Sequence, residues 1–151
     1  MLNTLKRWLD AQHDETAIPA AGGRAVQAAV ATLLHESARV DLDTHPAELA
    51  AAEQALAELF GLAPAECSAL LHDTRSKAGQ LTTYFPQVSV IKREFLPEQR
   101  VALVEQLWRV AFAHGLLDPY EDHFVRKIAH LLHVSNTQVM LARQRARATA
   151  Q

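Results

Sequence analysis

Apolar residues recur at three- and four-residue steps along most of this sequence, and this spacing constrains the fold more than any other feature. The strongest stretch covers residues 97–113, where apolar side chains form a wide stripe on one face of the predicted helix. The stripe consists of Val101, Val104, Leu107, Trp108, Ala111 and Phe112. A helix with so much apolar surface is usually surrounded by other elements. The pattern therefore predicts a bundle with this helix near its centre.

The same periodicity predicts further helices before and after this stretch. Proline and glycine residues mark several of their ends, and Gly61 has the position of a C′ glycine. The other predicted helices cover residues 24–40, 46–60, 64–77, a segment from about 85, 119–132 and a segment from 135. An extended conformation at residues 88–91 is the alternative there. Ala and Leu dominate and there are only 5 Gly, so we predict an all-α, compact bundle of about seven helices.

The first 23 residues are expected to form an N-terminal helix and linker, and residues 24–151 the helical domain. One face of the predicted N-terminal helix is apolar and consists of Leu2, Leu5, Trp8 and Leu9. This stripe could lie on a membrane surface or dock on its own domain. No apolar run approaches the ~20 residues that span a bilayer, and a signal peptide pattern is absent, so a cytoplasmic location is expected.

Charge and cysteine content exclude several classes of protein. The formal charge is −2, whereas nucleic-acid-binding proteins are usually basic, so no nucleic acid partner is expected. The single cysteine, Cys67, excludes an intramolecular disulfide and a thiolate metal cluster. No serine or cysteine has a nucleophile signature around it, and we therefore expect a protein that is not an enzyme.

An offset of 73 residues aligns two parts of the chain. It places Pro46 on Pro119 and Glu48 on Glu121, and each pair stands at the start of a predicted helix. The matching order of apolar helix, acidic loop and proline-started helix predicts repeat units at about residues 24–78 and 97–148. We expect these units to be related by a pseudo-two-fold axis.

Helix capping accounts for much of the acidic loop in the second unit. Asp118 suits the N-cap, Pro119 the first helical position, and Glu121 completes a capping box. In the first unit the equivalent cap position is His45, a poor cap, so Thr44 could take this role. Capping alone is therefore one interpretation of the acids in these loops.

Metal binding is the second interpretation, because carboxylates and imidazoles collect in both loops. The candidate ligands are Asp41, His45, Glu48, His114, Asp118 and Glu121. Carboxylates suit Ca²⁺ or Mn²⁺, and histidines shift the preference toward Zn²⁺. The first loop is not an EF-hand, because its sixth position is Pro46 instead of glycine. His114 separates the two interpretations, since a helix cap has no use for it.

Residues 107–121 read LWRVAFAHGLLDPYE. They resemble a signature of the TerB-like family of bacterial tellurite-resistance proteins. The family pattern is roughly Leu-Trp-x-Val-Ala-Tyr-Ala-Asp-Gly-x-Leu-Asp-x-x-Glu. Residues 33–41 look like its earlier Leu-Leu-x-Glu-x-Ala-x-x-Asp, and residues 94–100 resemble its Phe-x-Pro-Glu-Glu-Arg turn. The resemblance covers about residues 24–142.

This resemblance implies an all-helical fold with an internal two-fold and an acidic surface. Family members are proposed to bind divalent cations through these acids, belong to stress-response systems, or are joined to membrane-anchored DnaJ-type co-chaperones. The matching acids are Asp41, Glu48, Asp118 and Glu121. The sequence departs from the family at His114, where the family has Asp, and at His45, where Asp is common. The two replacements either retain a ligand set with two imidazoles, which is the interpretation we favour, or mark a copy that has lost hard-cation binding.

Two functions follow as hypotheses. The first is a non-enzymatic stress-response domain that binds a divalent metal ion (Zn²⁺, Mn²⁺ or Ca²⁺) at the two loops. The second is a metal-free protein-interaction module that acts through a helical surface. In both cases protein partners are expected, peripheral membrane association is open, and the chain could be a monomer or a homodimer.

Overall fold

The computed structural model describes residues 20–40, 43–44, 46–77, 83–115 and 117–150. These residues form seven helices: α1 (Ala20–Ser37), α2 (Pro46–Phe60), α3 (Pro64–Lys77), α4 (Phe85–Glu94), α5 (Pro97–Phe112), α6 (Pro119–Leu131) and α7 (Asn136–Ala150). Two-residue strands, β1 (Arg39–Val40) and β2 (Asp43–Thr44), pair antiparallel between α1 and α2. The prediction of an all-α bundle is confirmed, whereas the pseudo-two-fold repeat stays a prediction.

The helix predicted to be central is the centre of the bundle. α5 contacts α1, α2, α6 and α7, and twelve of its sixteen residues are buried. Trp108 is fully buried and stacks on Phe112 with ring centroids 6.1 Å apart. The hydroxyl of Ser37 at the end of α1 donates a buried hydrogen bond of 3.0 Å to the carbonyl of Leu107. Helix α1 is therefore fixed against the middle of α5.

The predicted bounds of the first domain helix are wrong at both ends. Helix α1 begins at Ala20, so residues 20–23 of the predicted linker are helical and include two glycines. A glycine costs a helix only about 1 kcal/mol, which the buried face of α1 can offset. The helix ends at Ser37, before residue 40, because the backbone of Arg39 and Val40 pairs with β2 instead.

Several other helix ends and starts lie where the sequence signals predict them. Gly61 has φ +69° directly after α2, as a C′ glycine requires. Pro86 lies in the first turn of α4, where a backbone N–H would have no partner within the helix. Residues 88–91 are helical, so the extended alternative is wrong. The backbone N–H of Gln138 donates to the hydroxyl of Ser135 over 3.2 Å, so Ser135 caps α7, which begins where the sequence predicts a helix from 135.

Within these described ranges, none of the helices combines the length and the apolar character that crossing a membrane requires. The predicted N-terminal helix, together with Asp41 and His45, lies outside the described residues.

Candidate metal centre

Helix α6 begins with the capping box that the sequence predicts. Asp118 is the N-cap, and its Oδ1 accepts a hydrogen bond of 2.7 Å from the backbone N–H of Tyr120. In return, the backbone N–H of Asp118 donates to Glu121 Oε1 over 3.1 Å. Pro119 occupies the first turn, where its missing N–H is not needed. Capping therefore fixes Glu121, but it uses only one of the two carboxylate oxygens.

Glu48 has the same place in α2 that Glu121 has in α6. Both are the third residue of a helix that begins with proline. Glu48 is 0 % exposed and Glu121 is 1 % exposed, although glutamate is almost never fully buried unless it is paired. The packing of α2 against α5 brings this first-loop acid to the end of α5, where the second loop starts.

His114 reaches the two glutamates because the chain reverses directly after α5. The backbone N–H of Gly115 donates to the carbonyl of Phe112 over 3.0 Å, and Gly115 has φ +104°. This left-handed conformation is accessible to glycine and strained for other residues. The turn holds His114 with its side chain only 22 % exposed.

Three side chains from separate elements therefore converge at one point. His114 Nδ1 lies 2.6 Å from Glu48 Oε1, and ligand atoms of Glu48, His114 and Glu121 all lie within 4.8 Å of one another. The close approach of His114 to Glu48 does not have hydrogen-bond geometry. Among the described residues, no donor forms a hydrogen bond of normal geometry with either oxygen of Glu48 or with Oε2 of Glu121. When both glutamates are ionised, the imidazole beside Glu48 Oε1 is a counter-charge only in its protonated form.

Burial and nearby negative charges disfavour the ionised forms of Glu48 and Glu121. Burial raises the pKa of Glu48 from 4.5 to about 8, and the negative charges of Glu121 and Asp118 act in the same direction. Burial likewise raises the pKa of Glu121 to about 7, against the stabilising hydrogen bond from the Asp118 backbone. Two carboxyls this close titrate as a pair, and a shared proton relieves their repulsion near neutral pH.

A divalent cation could replace that proton. It would supply positive charge to both carboxylates and a Lewis acid to the imidazole. Ligand atoms about 2.0–2.2 Å from Zn²⁺ stand roughly 3–4 Å from each other in tetrahedral geometry, and the ligand atoms of Glu48, His114 and Glu121 lie within 4.8 Å of one another. The three side chains are therefore of the right type and near the right spacing to hold a divalent ion.

The structure brings together three of the six predicted ligands: Glu48, His114 and Glu121. Asp118 lies beside them as the cap of α6, and its charge contributes to the raised pKa of both glutamates. Asp41 and His45 belong to the undescribed positions, so their part in the site stays a prediction.

A hydrogen bond that holds the start of α6 against α1 was not predicted from the sequence. The Tyr120 hydroxyl donates to Glu36 Oε1 over 3.2 Å, and Glu36 is only 6 % exposed. This bond ties the start of α6 to the last turn of α1. The only sequence signal was the position of Glu36 within the family-like segment, which does not reveal a partner 84 residues away.

We expect Gly115→Ala to lower the unfolding free energy by about 1–2 kcal/mol, the usual cost of a left-handed conformation for a residue with a Cβ. No atom of the described residues lies within 4 Å of this Cβ position, so the cost comes from the backbone. The matched control is Gly61→Ala, at φ +69° and also without a contact. Denaturant unfolding should show a loss in both variants, but only Gly115→Ala should weaken metal binding, because it displaces His114. Equal metal affinities in the two variants would contradict this role of the turn.

Comparisons with known proteins give one match. A family model described as "Tellurite resistance protein TerB" matches residues 27–144, which is most of the chain and contains all three converging side chains. No curated protein and no solved structure was found to match.

Proposed function

Because this chain belongs to the tellurite resistance protein TerB family, we propose that it is a non-enzymatic domain that binds a divalent metal ion at Glu48, His114 and Glu121. The observation that carries the proposal is the convergence of two fully buried glutamates and a histidine. Their orphaned oxygens and raised pKa values have a common explanation in a missing positive charge.

The donor set favours a transition metal ion over calcium. Ca²⁺ takes six to eight oxygen ligands, whereas one imidazole nitrogen and two carboxylates suit Zn²⁺ or Mn²⁺. Water, or the predicted ligands Asp41 and His45, would complete the coordination. We therefore propose Zn²⁺ or Mn²⁺ as the ion, with Ca²⁺ bound more weakly.

In this proposal the ion has a structural role. Glu48 belongs to the start of α2, His114 to the turn after α5, and Glu121 to the start of α6. A metal ion that binds all three would cross-link parts of the chain more than 60 residues apart in sequence. Such a cross-link would adjust the surface that a protein partner recognises within a cytoplasmic stress-response complex.

Glu121→Gln separates ligation from capping. Glutamine serves in a capping box as glutamate does, so the metal-free variant should unfold at a free energy within about 0.5 kcal/mol of the parent or above it. Its amide is a poor metal ligand, and calorimetric titration with Zn²⁺ and Mn²⁺ should show at least a ~100-fold weaker affinity, since loss of an outer-shell partner alone costs 10–100-fold. An unchanged affinity would contradict ligation by Glu121.

A metal-free interaction module is the second candidate function. It is favoured by the complete capping box of α6, which gives Asp118 and one oxygen of Glu121 a structural role without any ion. This candidate predicts no binding heat for any divalent ion in the parent protein.

A further inference from the structure

A shallow groove follows the outside of helices α1 and α4. Helix α1 contributes small residues at helical spacing: Ala25, Ala28, Ala29 and Thr32. Helix α4 contributes Pro86, Gln87 and Val90. Small side chains at these steps let a further helix approach closely. The groove has a volume of about 180 Å³, below the roughly 300–1,000 Å³ of small-molecule pockets.

One feature next to this α1–α4 groove indicates an apolar occupant. Phe85, the sequence neighbour of the lining residue Pro86, is 67 % exposed, which is the largest exposure among the large apolar side chains of the described residues. Exposed apolar surface of this kind often marks an interaction site. A fitting occupant therefore has apolar side chains.

We propose that the N-terminal apolar stripe (Leu2, Leu5, Trp8 and Leu9) docks in the α1–α4 groove of its own chain. The leucines cover the small residues of α1 and the exposed ring of Phe85. Tryptophan has a large apolar body, so it matches the apolar lining of the groove.

The connection between the stripe and the groove is long enough for this docking. Residues 11–19 separate the stripe region from Ala20, where α1 begins. Nine residues span roughly 30 Å when extended, and Ala28 lies roughly 12 Å along the helix from Ala20. The chain can thus turn back and run antiparallel to α1, as in a helical hairpin.

A second cavity in the described part of the chain does not suit the stripe. It has a volume of about 370 Å³ between α2, α5 and α7 and contains an ion pair of Arg109 with Glu58, at 3.1 Å. Gln106 also donates to Glu58 over 2.7 Å. Leucine side chains placed there would remove these charges from water without new partners, which is unfavourable.

Fluorescence of Trp8 tests the proposal in the full-length chain. Its spectrum is obtained as the difference between the parent and Trp8→Phe, which leaves the buried Trp108 intact. Ala28→Arg blocks the groove at an exposed position, and Ala69→Arg on α3 is the matched control, also exposed. In the parent and in Ala69→Arg we expect blue-shifted emission that acrylamide quenches weakly. In Ala28→Arg we expect the emission and quenching of a synthetic peptide of residues 1–19.

Several results would overturn the proposal. One is parent Trp8 emission equal to that of the free peptide, and another is equal shifts in Ala28→Arg and Ala69→Arg. A blue shift that appears in the parent only with phosphatidylglycerol vesicles would assign the stripe to a lipid surface. A shift that depends on protein concentration would assign it to a second copy of the chain. Docking of the segment on its own groove predicts a signal independent of both.

Discussion

Saturation with the proposed metal ion should raise the melting temperature of this protein by about 5–11 °C. A ligand at 100 times its Kd that binds only the folded state adds about 2.7 kcal/mol of stability. Each kcal/mol shifts the melting temperature by about 2–4 °C for a chain of this size. Thermal unfolding in Zn²⁺ or Mn²⁺, with a chelator as the reference state, measures the shift.

His114→Ala is the variant that tests this shift. It removes the imidazole ligand at a position that the capping box of α6 does not use. The melting temperature of the metal-free variant should stay near that of the parent, and the ion should raise it by less than about 2 °C. His123→Ala, at an exposed position of α6, is the control and should retain the full shift. A full shift in His114→Ala would contradict its role as a ligand.

Glu48→Gln should stabilise the metal-free protein by about 1–3 kcal/mol at pH 8 and remove metal binding. The carboxylate of Glu48 is buried among other acids without a donor, and the neutral amide avoids the desolvation of a charge. Few changes at a binding site raise stability while they abolish function, so the two effects together are diagnostic. Denaturant unfolding and calorimetric titration of the same samples measure them.

The gain in Glu48→Gln should depend on pH with a defined sign. The folded-state pKa of Glu48, about 8, and that of Glu121, about 7, both exceed the ordinary value of 4.5. Between pH 4.5 and 8 the folded protein therefore binds more protons than the unfolded chain, and the unfolding free energy falls as pH rises. The difference in stability between Glu48→Gln and the parent should be small at pH 5 and largest at pH 8. A difference that is constant over this range would contradict the buried pair.

The local features of the fold were predictable from the sequence because neighbouring residues determine them. Asp118, Pro119 and Glu121 satisfy the first turn of α6 themselves, and the apolar stripe of α5 requires partners on several sides. The end of α1 was not predictable in this way. The residues that follow it, Arg39 and Val40, pair with β2, and this competing backbone pairing has no periodic signal in the sequence.

The sequence alone also did not predict that Glu48, His114 and Glu121 lie close together. Spacing assigned Glu48 and Glu121 to equivalent helix starts, but only the packing of α2 on α5 brings Glu48 within 2.6 Å of His114. The bond from Tyr120 to Glu36 depends on tertiary contacts in the same way. The sequence named Glu48, His114 and Glu121 as candidates without showing that they are neighbours.

The metal content of the protein purified without a histidine tag tests the central claim most directly. After exposure to Zn²⁺, Mn²⁺ or Ca²⁺ and removal of free ions, elemental analysis should find about one ion of zinc or manganese per chain. The same treatment of Glu48→Gln should leave less than about a tenth of that amount, as expected from at least a ~100-fold loss of affinity. A parent protein that retains none of the three ions would contradict the metal centre.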